Sequence, residues 1–184
     1  IGSFSRKGGM ASIIGSAAAH VAGAAGETTA DLTDKGFDVI VMSDGPAGLR
    51  LTRQYYEDEK GLHGLGRTGV PESMLENAPA ISKFVMSFFV KDVKAPTGAQ
   101  IKEQYCTAIP IGTAIAQTWN REYAKTCGDG VGAEMERFGI NLWLAPALNI
   151  HRSALCGRNF EYYSEDPLIS GLFAAAITQG VQQH

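Results

Sequence analysis

Two short apolar runs limit the folds open to this chain more than any other feature of its sequence. The first covers residues 37–43 (FDVIVMS) and the second covers residues 140–148 (INLWLAPAL). Runs of this length and composition are typical of strands that are buried on both faces, as in a parallel sheet. Polar and turn-forming residues follow each run, and helical patterns come after them. The alternation of strand, loop and helix predicts an α/β fold built on a parallel sheet.

A helical pattern extends over residues 111–138. Apolar side chains recur there at spacings of four and then three, which predicts a helix with one buried face. That face consists of Ile115, Trp119, Tyr123, Cys127, Val131, Met135 and Phe138. Gly128, Gly130 and Gly132 lie in the middle of the pattern, and we expect them to bend or split the helix because glycine is a poor helix former.

A second helix is predicted to begin at Asp166, whose carboxylate can cap it, with Pro167 in the first turn. Its expected buried face consists of Ile169, Leu172, Phe173, Ala176, Ile177, Gly180 and Val181. The polar residues 50–69 are expected to form a long loop, residues 72–93 to include a short helix, and residues 94–98 to form another loop.

The charge and cysteine content exclude several classes of protein. The chain has 184 residues, with 16 Lys and Arg against 19 Asp and Glu, so its net charge is −3. Nucleic-acid binding needs a surplus of basic residues, and a membrane helix needs about 18 consecutive apolar residues, so we expect neither partner. Cys106, Cys127 and Cys156 form no Cys/His cluster. They predict reduced, mostly buried thiols and no metal site.

The N-terminal residues 8–26 superficially resemble a signal peptide, since small residues follow Arg6 and Lys7. Polar residues interrupt this stretch, and a true signal would need a stronger apolar centre. Together with the unpaired cysteines, this favours a cytoplasmic location. The first residue is Ile1, and the helical pattern before His184 has no stop signal behind it. We therefore expect the sequence to be a piece of a longer protein.

The residues that follow the first apolar run carry chemistry. In residues 43–50 (SDGPAGLR), Asp44 comes at the predicted carboxyl end of a strand, where α/β proteins bind ligands. An ionised carboxylate there can accept hydrogen bonds from two neighbouring hydroxyls of a sugar. The glycines and proline turn the chain sharply, so Arg50 can return toward Asp44. A sugar-binding carboxylate and a simple Asp–Arg clasp of the loop are equally good interpretations.

Residues 156–167 (CGRNFEYYSEDP), which follow the second run, combine one cation, three carboxylates and three aromatic residues. Arg158 offers five donors in a rigid plane, and aromatic faces suit the apolar side of a sugar. Glu161 and Glu165 could be taken for the carboxylate pair of a glycosidase. We instead expect Glu161 to be a buried partner of Arg158 or of a backbone amide, and we assign no catalytic residue in this chain.

At these residues the sequence resembles glycoside hydrolase family 3, in particular its β-glucosidase and β-xylosidase branch. Residues 43–50, 108–120 (AIPIGTAIAQTWN) and 141–167 carry the resemblance. It implies a (β/α)₈ TIM-type barrel that removes terminal sugars with retention of configuration and needs no metal or organic cofactor. It also implies three substrate-binding residues for the non-reducing sugar, which are Asp44, Arg50 and Arg158.

The family pattern also contains a Lys-His pair after the GR motif, a nucleophilic Asp in a Ser-Asp-Trp-like motif and an acid/base Glu, none of which lies in residues 1–184. A complete barrel takes about 250 residues. We therefore interpret residues 1–184 as one incomplete barrel domain, the first part of the barrel of an exo-acting β-glucosidase, and inactive alone. Its expected partners are a glycoside or oligosaccharide substrate and the remainder of the same enzyme.

Three alternatives stay open. The enzyme could be a β-xylosidase or another exoglycosidase of the same family. The chain could also be a non-catalytic fragment with a structural or sugar-binding role. A dinucleotide-binding domain is disfavoured, because the glycines of residues 128–132 lie inside a helical pattern and not at a turn from strand to helix.

Overall fold

The computed structural model of the chain describes residues 20–59, 61–67 and 92–184. The described residues divide into two compact units, each made of two chain segments. The first unit contains residues 20–41 and the described part of residues 51–105, and the second contains residues 42–50 and 106–184. Strands and helices both occur, which confirms the α/β class. The assignment of residues 1–184 to one incomplete barrel domain stays a prediction.

The first unit consists mainly of short strands. They are β1 (Gly26–Thr28), the start of β2 (Ile40–Ser43), β3 (Gln54–Asp58), β4 (Gly61–Gly64), β5 (Gly66–Arg67), β6 (Asp92–Val93) and β7 (Lys102–Glu103), with a 3₁₀ turn at Ala30–Lys35. β3 pairs antiparallel with β4 on one side and with β7 on the other, and β5 pairs antiparallel with β6. The long loop predicted for residues 50–69 is therefore wrong. Residues 94–98 form a loop, as predicted. The helix was predicted within residues 72–93, and residues 72–91 are not among the described residues.

Pairs of side chains across the strands join β3 to both of its neighbours, β4 and β7. The rings of Tyr56 and His63 stack with their centroids 4.9 Å apart. The ammonium of Lys102 on β7 lies 2.5 Å from a carboxylate oxygen of Glu57 on β3. Pairs of side chains across neighbouring strands stabilise a sheet in the way that pairs on one helix face stabilise a helix. They give no apolar alternation along the chain, so the periodicity of the sequence does not reveal them.

The end of β2 and strand β8 (Leu142–Trp143) form the parallel pair of the second unit, with Met42 opposite Leu142 and Ser43 opposite Trp143. The parallel pairing is as predicted, but both strands are shorter than the apolar runs that suggested them. Val41 and Ser43 are buried, whereas Ile40 and Leu142 are exposed. The expected burial on both faces is therefore wrong, because successive residues of a strand point to opposite sides and only one side is covered in the described residues.

Three helices complete the second unit. They are α1 (Gly112–Gln117), α2 (Arg121–Phe138) and α3 (Pro167–Val181), and a 3₁₀ turn covers Asn159–Glu161. The single helix predicted over residues 111–138 is thus two helices. Trp119 lies in the break with a φ of 56° and is 75% exposed, so its place on the predicted buried face is wrong. The side-chain oxygen of Asn120 accepts a hydrogen bond from the Tyr123 amide and begins α2 there, which ends the continuity.

The glycines in the middle of α2 do not split it, because the helix is continuous from Arg121 to Phe138. A Cβ atom on Gly128 would lie 2.1 Å from the Ile177 carbonyl oxygen of α3, and a Cβ on Gly180 would lie 2.1 Å from the Lys125 carbonyl oxygen. These glycines therefore let the two helix backbones pack in contact. Within the described residues, none of the helices has the length and apolar character that crossing a membrane would require.

The start of α3 is as predicted. The Asp166 carboxylate accepts hydrogen bonds from the amides of Leu168 and Ile169, and Pro167 occupies the first turn. Of its predicted buried face, Phe173, Ala176, Ile177 and Gly180 are buried, together with Ser170 and Ala174. Leu172 is exposed, so the buried stripe is narrower than expected.

Candidate functional site

The loop after β2 is folded tightly by two glycines. Gly45 and Gly48 have φ angles of 121° and 114°, which side-chain-bearing residues rarely adopt. The Arg50 amide donates a hydrogen bond to the Asp44 carbonyl at 2.9 Å. The buried indole N–H of Trp143 donates to the Gly45 carbonyl at 2.9 Å and joins the loop to β8. The loop is therefore closed on itself at the carboxyl end of β2, which is where the sequence placed it.

Asp44 and Arg50 form an ion pair across this loop. Arg50 Nη1 lies 3.4 Å from Asp44 Oδ2, and the two side chains are 64% and 46% exposed, respectively. An exposed pair of this kind contributes about 0–1 kcal/mol to stability. Both charged groups are accessible to a ligand, so the clasp that the sequence suggested is present without excluding a role in binding.

Arg158 occupies the residue before the 3₁₀ turn Asn159–Glu161 and forms an ion pair within that turn. Its Nε donates to Oε1 of Glu161, which is only 8% exposed, while the Arg158 side chain is 70% exposed. The prediction that Glu161 is a buried partner of Arg158 is confirmed. The hydrogen bond and charge of Glu161 raise the pKa of Arg158 above its ordinary value, and the charge of Asp44 acts in the same direction. Asp44 and Arg158 thus lie within electrostatic reach of each other.

Side-chain hydrogen bonds connect residues 159–162, at and just after the 3₁₀ turn, to other parts of the chain. Nε2 of His151 lies 2.8 Å from the Asn159 carbonyl oxygen, an arrangement in which Nε2 carries the proton. The Asn159 side-chain amide donates to the Ser153 carbonyl at 2.7 Å, and the Thr113 hydroxyl donates to the Tyr162 carbonyl at 2.7 Å. His151 therefore supports the backbone of the turn.

Two hollows open beside these charged groups. One, of about 410 Å³, is lined by Ala147, Leu148, Asn149, Arg158 and Tyr162. The other, of about 270 Å³, is lined by residues 45–50, Ile111, Gly112, Phe160 and Glu161. Arg158 lines the first hollow and its partner Glu161 lines the second, so the ion pair lies between them. The first hollow is shallow and widely open to solvent, so Arg158 is accessible from it.

The structure thus brings Asp44 and Arg50 together in one loop, and the charge of Asp44 also acts weakly on Arg158. Their role as sugar ligands stays a prediction. The sequence did not single out Asn149, which follows the second apolar run and lines the first hollow beside Arg158. Its position directly after a predicted strand was a usable signal. Thr113 was also missed, because nothing in the local sequence connects it to residues 159–162.

The three cysteines all lie among the described residues and form no disulfide. Cys127 is buried, and burial raises the pKa of its thiol. Cys156 is exposed and Cys106 is half-buried, so the expectation of mostly buried thiols is wrong. Cys156 lies in the polar stretch before Arg158, which no other described element covers.

Comparison with known proteins identifies the family. Residues 87–184, more than half of the chain, match the family model of the glycosyl hydrolase family 3 N-terminal domain. The chain therefore belongs to glycosyl hydrolase family 3, as its sequence motifs predicted. It is 46% identical over 92 residues to β-glucosidase A of Butyrivibrio fibrisolvens, an alignment that covers 48% of this chain and 11% of that protein. It is 35% identical over 117 residues to thermostable β-glucosidase B of Acetivibrio thermocellus, which covers 63% of this chain and 15% of the relative.

Solved structures agree with the sequence comparison. The structure of β-glucosidase 3B from Thermotoga neapolitana in complex with glucose superposes with a TM-score of 0.60 at 37% identity. The match covers 89% of this chain and 17% of the Thermotoga chain. A β-glucosidase from Paenibacillus barengoltzii matches with a TM-score of 0.59 at 26% identity, over 91% of this chain and 13% of the other. The chain thus spans well under a fifth of the length of these relatives.

Proposed function

We propose that this chain is the sugar-binding first part of a (β/α)₈ barrel in a retaining, exo-acting β-glucosidase. The observation that carries the proposal is the exposed Asp44–Arg50 pair at the carboxyl end of β2, with Arg158 in electrostatic reach. Barrel enzymes bind their substrates at the carboxyl ends of the strands. Membership of the family and the glucose bound in the Thermotoga relative support a glucoside as substrate.

In the proposed reaction a carboxylate attacks the anomeric carbon, while a protonated carboxyl group transfers its proton to the departing glycosidic oxygen. Water then attacks the glycosyl–enzyme ester, gives its proton to the second carboxylate and releases the sugar. Both carboxyl groups would come from the remainder of the enzyme. The residues of this chain would hold the sugar in place during the two steps.

Asp44 would accept hydrogen bonds from two hydroxyls of the terminal sugar that are remote from the anomeric carbon. Arg50 and Arg158 would donate to the same ring or orient the Asp44 carboxylate. A hydrogen bond to a charged group contributes roughly 1.5–3 kcal/mol. Two such bonds are worth at least about a hundredfold in kcat/KM, because every 1.4 kcal/mol corresponds to a factor of about ten.

The first test is Asp44→Ala in the intact enzyme. We expect kcat/KM for 4-nitrophenyl β-glucoside to fall at least about a hundredfold, because both hydroxyl contacts are lost. The melting temperature should stay unchanged, since the ion pair with Arg50 is exposed. Asp38→Ala, which removes another exposed carboxylate just before β2, is the control and should keep normal activity. Activity close to wild type in Asp44→Ala would remove Asp44 from the site.

Arg158→Ala should cause a similar loss of kcat/KM. This variant also leaves the buried Glu161 carboxylate without its partner, which can destabilise the fold. A thermal melt of the same preparation distinguishes lost binding from lost folding. Arg158→Lys keeps a positive charge near Glu161, so folding should be preserved while the planar donor geometry is lost.

A further inference from the structure

The N-terminal turn of α1 packs directly against the backbone that carries Arg158. A Cβ atom on Gly112 would lie 2.5 Å from the Glu161 carbonyl oxygen, so the helix backbone and the 3₁₀ turn are in contact. The next residue, Thr113, places its hydroxyl oxygen 2.7 Å from the Tyr162 carbonyl oxygen. The Asn159 and Phe160 carbonyl oxygens lie 3.3 and 3.5 Å from the same hydroxyl.

A threonine hydroxyl has one proton to donate. The shortest contact identifies the Tyr162 carbonyl as its acceptor, and the other two carbonyls surround the same donor. One side chain on α1 therefore faces three of the four consecutive carbonyls of residues 159–162. A 3₁₀ turn of three residues has little internal support, so donors from outside decide where it lies.

The position of this turn determines the position of the Arg158 guanidinium. Arg158 is the residue before the turn, and its Nε is held by Glu161 inside the turn. A displacement of the backbone at residues 159–162 would thus move the buried carboxylate and the guanidinium together. Most of the Arg158 side chain is exposed, so the ion pair with Glu161 is its main anchor.

We propose that Thr113 is a positioning residue for Arg158. Its hydroxyl fixes the turn at Asn159–Glu161, and Glu161 transmits that placement to the guanidinium facing the 410 Å³ hollow. This inference rests on the proposed role of Arg158 in sugar binding. Thr113 acts through Arg158 and does not itself touch the sugar.

Thr113→Val in the intact enzyme removes the hydroxyl while keeping the shape of the side chain. We expect the KM for 4-nitrophenyl β-glucoside to rise about tenfold with kcat nearly unchanged, because a contact to the bound sugar is weakened in ground state and transition state alike. Thr113→Ser keeps the hydroxyl and should restore the wild-type KM. A merely structural role would lower kcat in proportion to the folded fraction and leave KM unchanged, which would overturn the proposal. Thr113→Ala, which has no γ-methyl group to press on the carbonyl, gives the same KM test if the valine variant folds poorly.

A double-mutant cycle with Arg158→Ala separates this inference from the proposed function. Because Thr113 acts through Arg158, Thr113→Val should change kcat/KM less than about twofold once Arg158 is absent. An undiminished tenfold effect in that background would show that Thr113 acts elsewhere, and the inference would fail while the sugar site stands. If Arg158→Ala alone keeps wild-type kcat/KM, the proposed role of Arg158 fails and takes the inference with it.

Discussion

The two arginine–carboxylate pairs of the candidate site differ in how much of each carboxylate water can reach. Glu161 is buried, and a buried carboxylate needs a partner because leaving its charge unpaired is costly. Glu161 is therefore committed to Arg158 and is unsuited to protonate a departing group. Asp44 is about half exposed, so its contact with Arg50 costs little to rearrange. The buried Glu161 is thus suited to orienting Arg158, whereas the half-exposed Asp44 is accessible to a ligand.

His184 provides a pH-dependent contact between α2 and the end of α3. Its Nε2 lies 3.1 Å from Oδ1 of Asp129 and its Nδ1 lies 3.5 Å from Oε2 of Glu136. A Cβ on Gly132 would lie 2.7 Å from the imidazole, so the glycine makes room for the ring. The hydrogen bond with Asp129, followed by the contacts with Glu136, raises the pKa of His184 above its ordinary value. Residues 167–181 of α3 carry no titratable side chain that would lower the pKa of His184.

Because the pKa of His184 is higher in the folded protein, the protonated imidazole stabilises the fold fully at a pH below its unfolded-state pKa of about 6.5. This stabilisation is lost as the pH rises through the folded-state pKa. We expect the melting temperature of the wild type to fall by a few degrees relative to His184→Gln as the pH is raised over that interval, since partly exposed pairs are screened by water and salt. Thermal melts of both proteins at matched ionic strength measure this. Parallel melting curves at every pH would show that the imidazole contributes nothing.

Among the helices, strands and turns, the features that the sequence predicts best are those formed by residues close together in the chain. The start of α3 follows from Asp166 and Pro167 alone, and the Arg158–Glu161 pair joins residues three apart. The β3–β4 hairpin was missed because its sequence has no apolar alternation, and its strands are joined instead by the stacked rings of Tyr56 and His63. Thr113 was missed because its acceptors are 46–49 residues away.

The glycines of α2 show the same limit, because their effect depends on a partner helix that helix propensity ignores. A Cβ atom added to Gly128 would lie 2.1 Å from the Ile177 carbonyl oxygen. Gly130 is exposed, and a Cβ atom added there would have no neighbouring atom within 4 Å. Gly128→Ala should therefore destabilise the protein by about 1–3 kcal/mol through overpacking. Gly130→Ala should stabilise it by about 0.5–1 kcal/mol, since alanine is the better helix former.

Urea unfolding of the two variants, monitored by circular dichroism, measures both changes in free energy. The pair is matched because the same atom is added two residues apart in one helix. Equal changes in the two variants would mean that α2 and α3 do not pack through Gly128. A loss of stability at both positions would contradict the gain that helix propensity predicts for Gly130→Ala.

At the scale of the whole molecule, the candidate site is assembled within the second unit from two separate chain segments. Residues 42–50 supply Asp44 and Arg50, and residues 106–184 supply Arg158 and its supports. A retaining glycosidase needs two carboxyl groups about 5–5.5 Å apart at the scissile bond. Of the carboxylates in the described residues, Glu161 alone lines the two hollows, and it is bound to Arg158. The two hollows of the candidate site, as far as the described residues show, are thus not lined by a free pair of carboxylates.

The 184-residue chain should accordingly release no 4-nitrophenol from 4-nitrophenyl β-glucoside above the uncatalysed rate, while the intact enzyme turns it over. Glucose titrated calorimetrically into both proteins should bind to the intact enzyme, and Asp44→Ala should abolish that binding. Turnover by the 184-residue chain would contradict this expectation. An identically purified Asp44→Ala chain is the control, and it must be inactive for the turnover to be assigned to the chain itself. If Glu165→Gln then removed that turnover, the exposed Glu165 would be a catalytic carboxylate of this chain. Its acid/base chemistry would then not need to come from elsewhere in the enzyme.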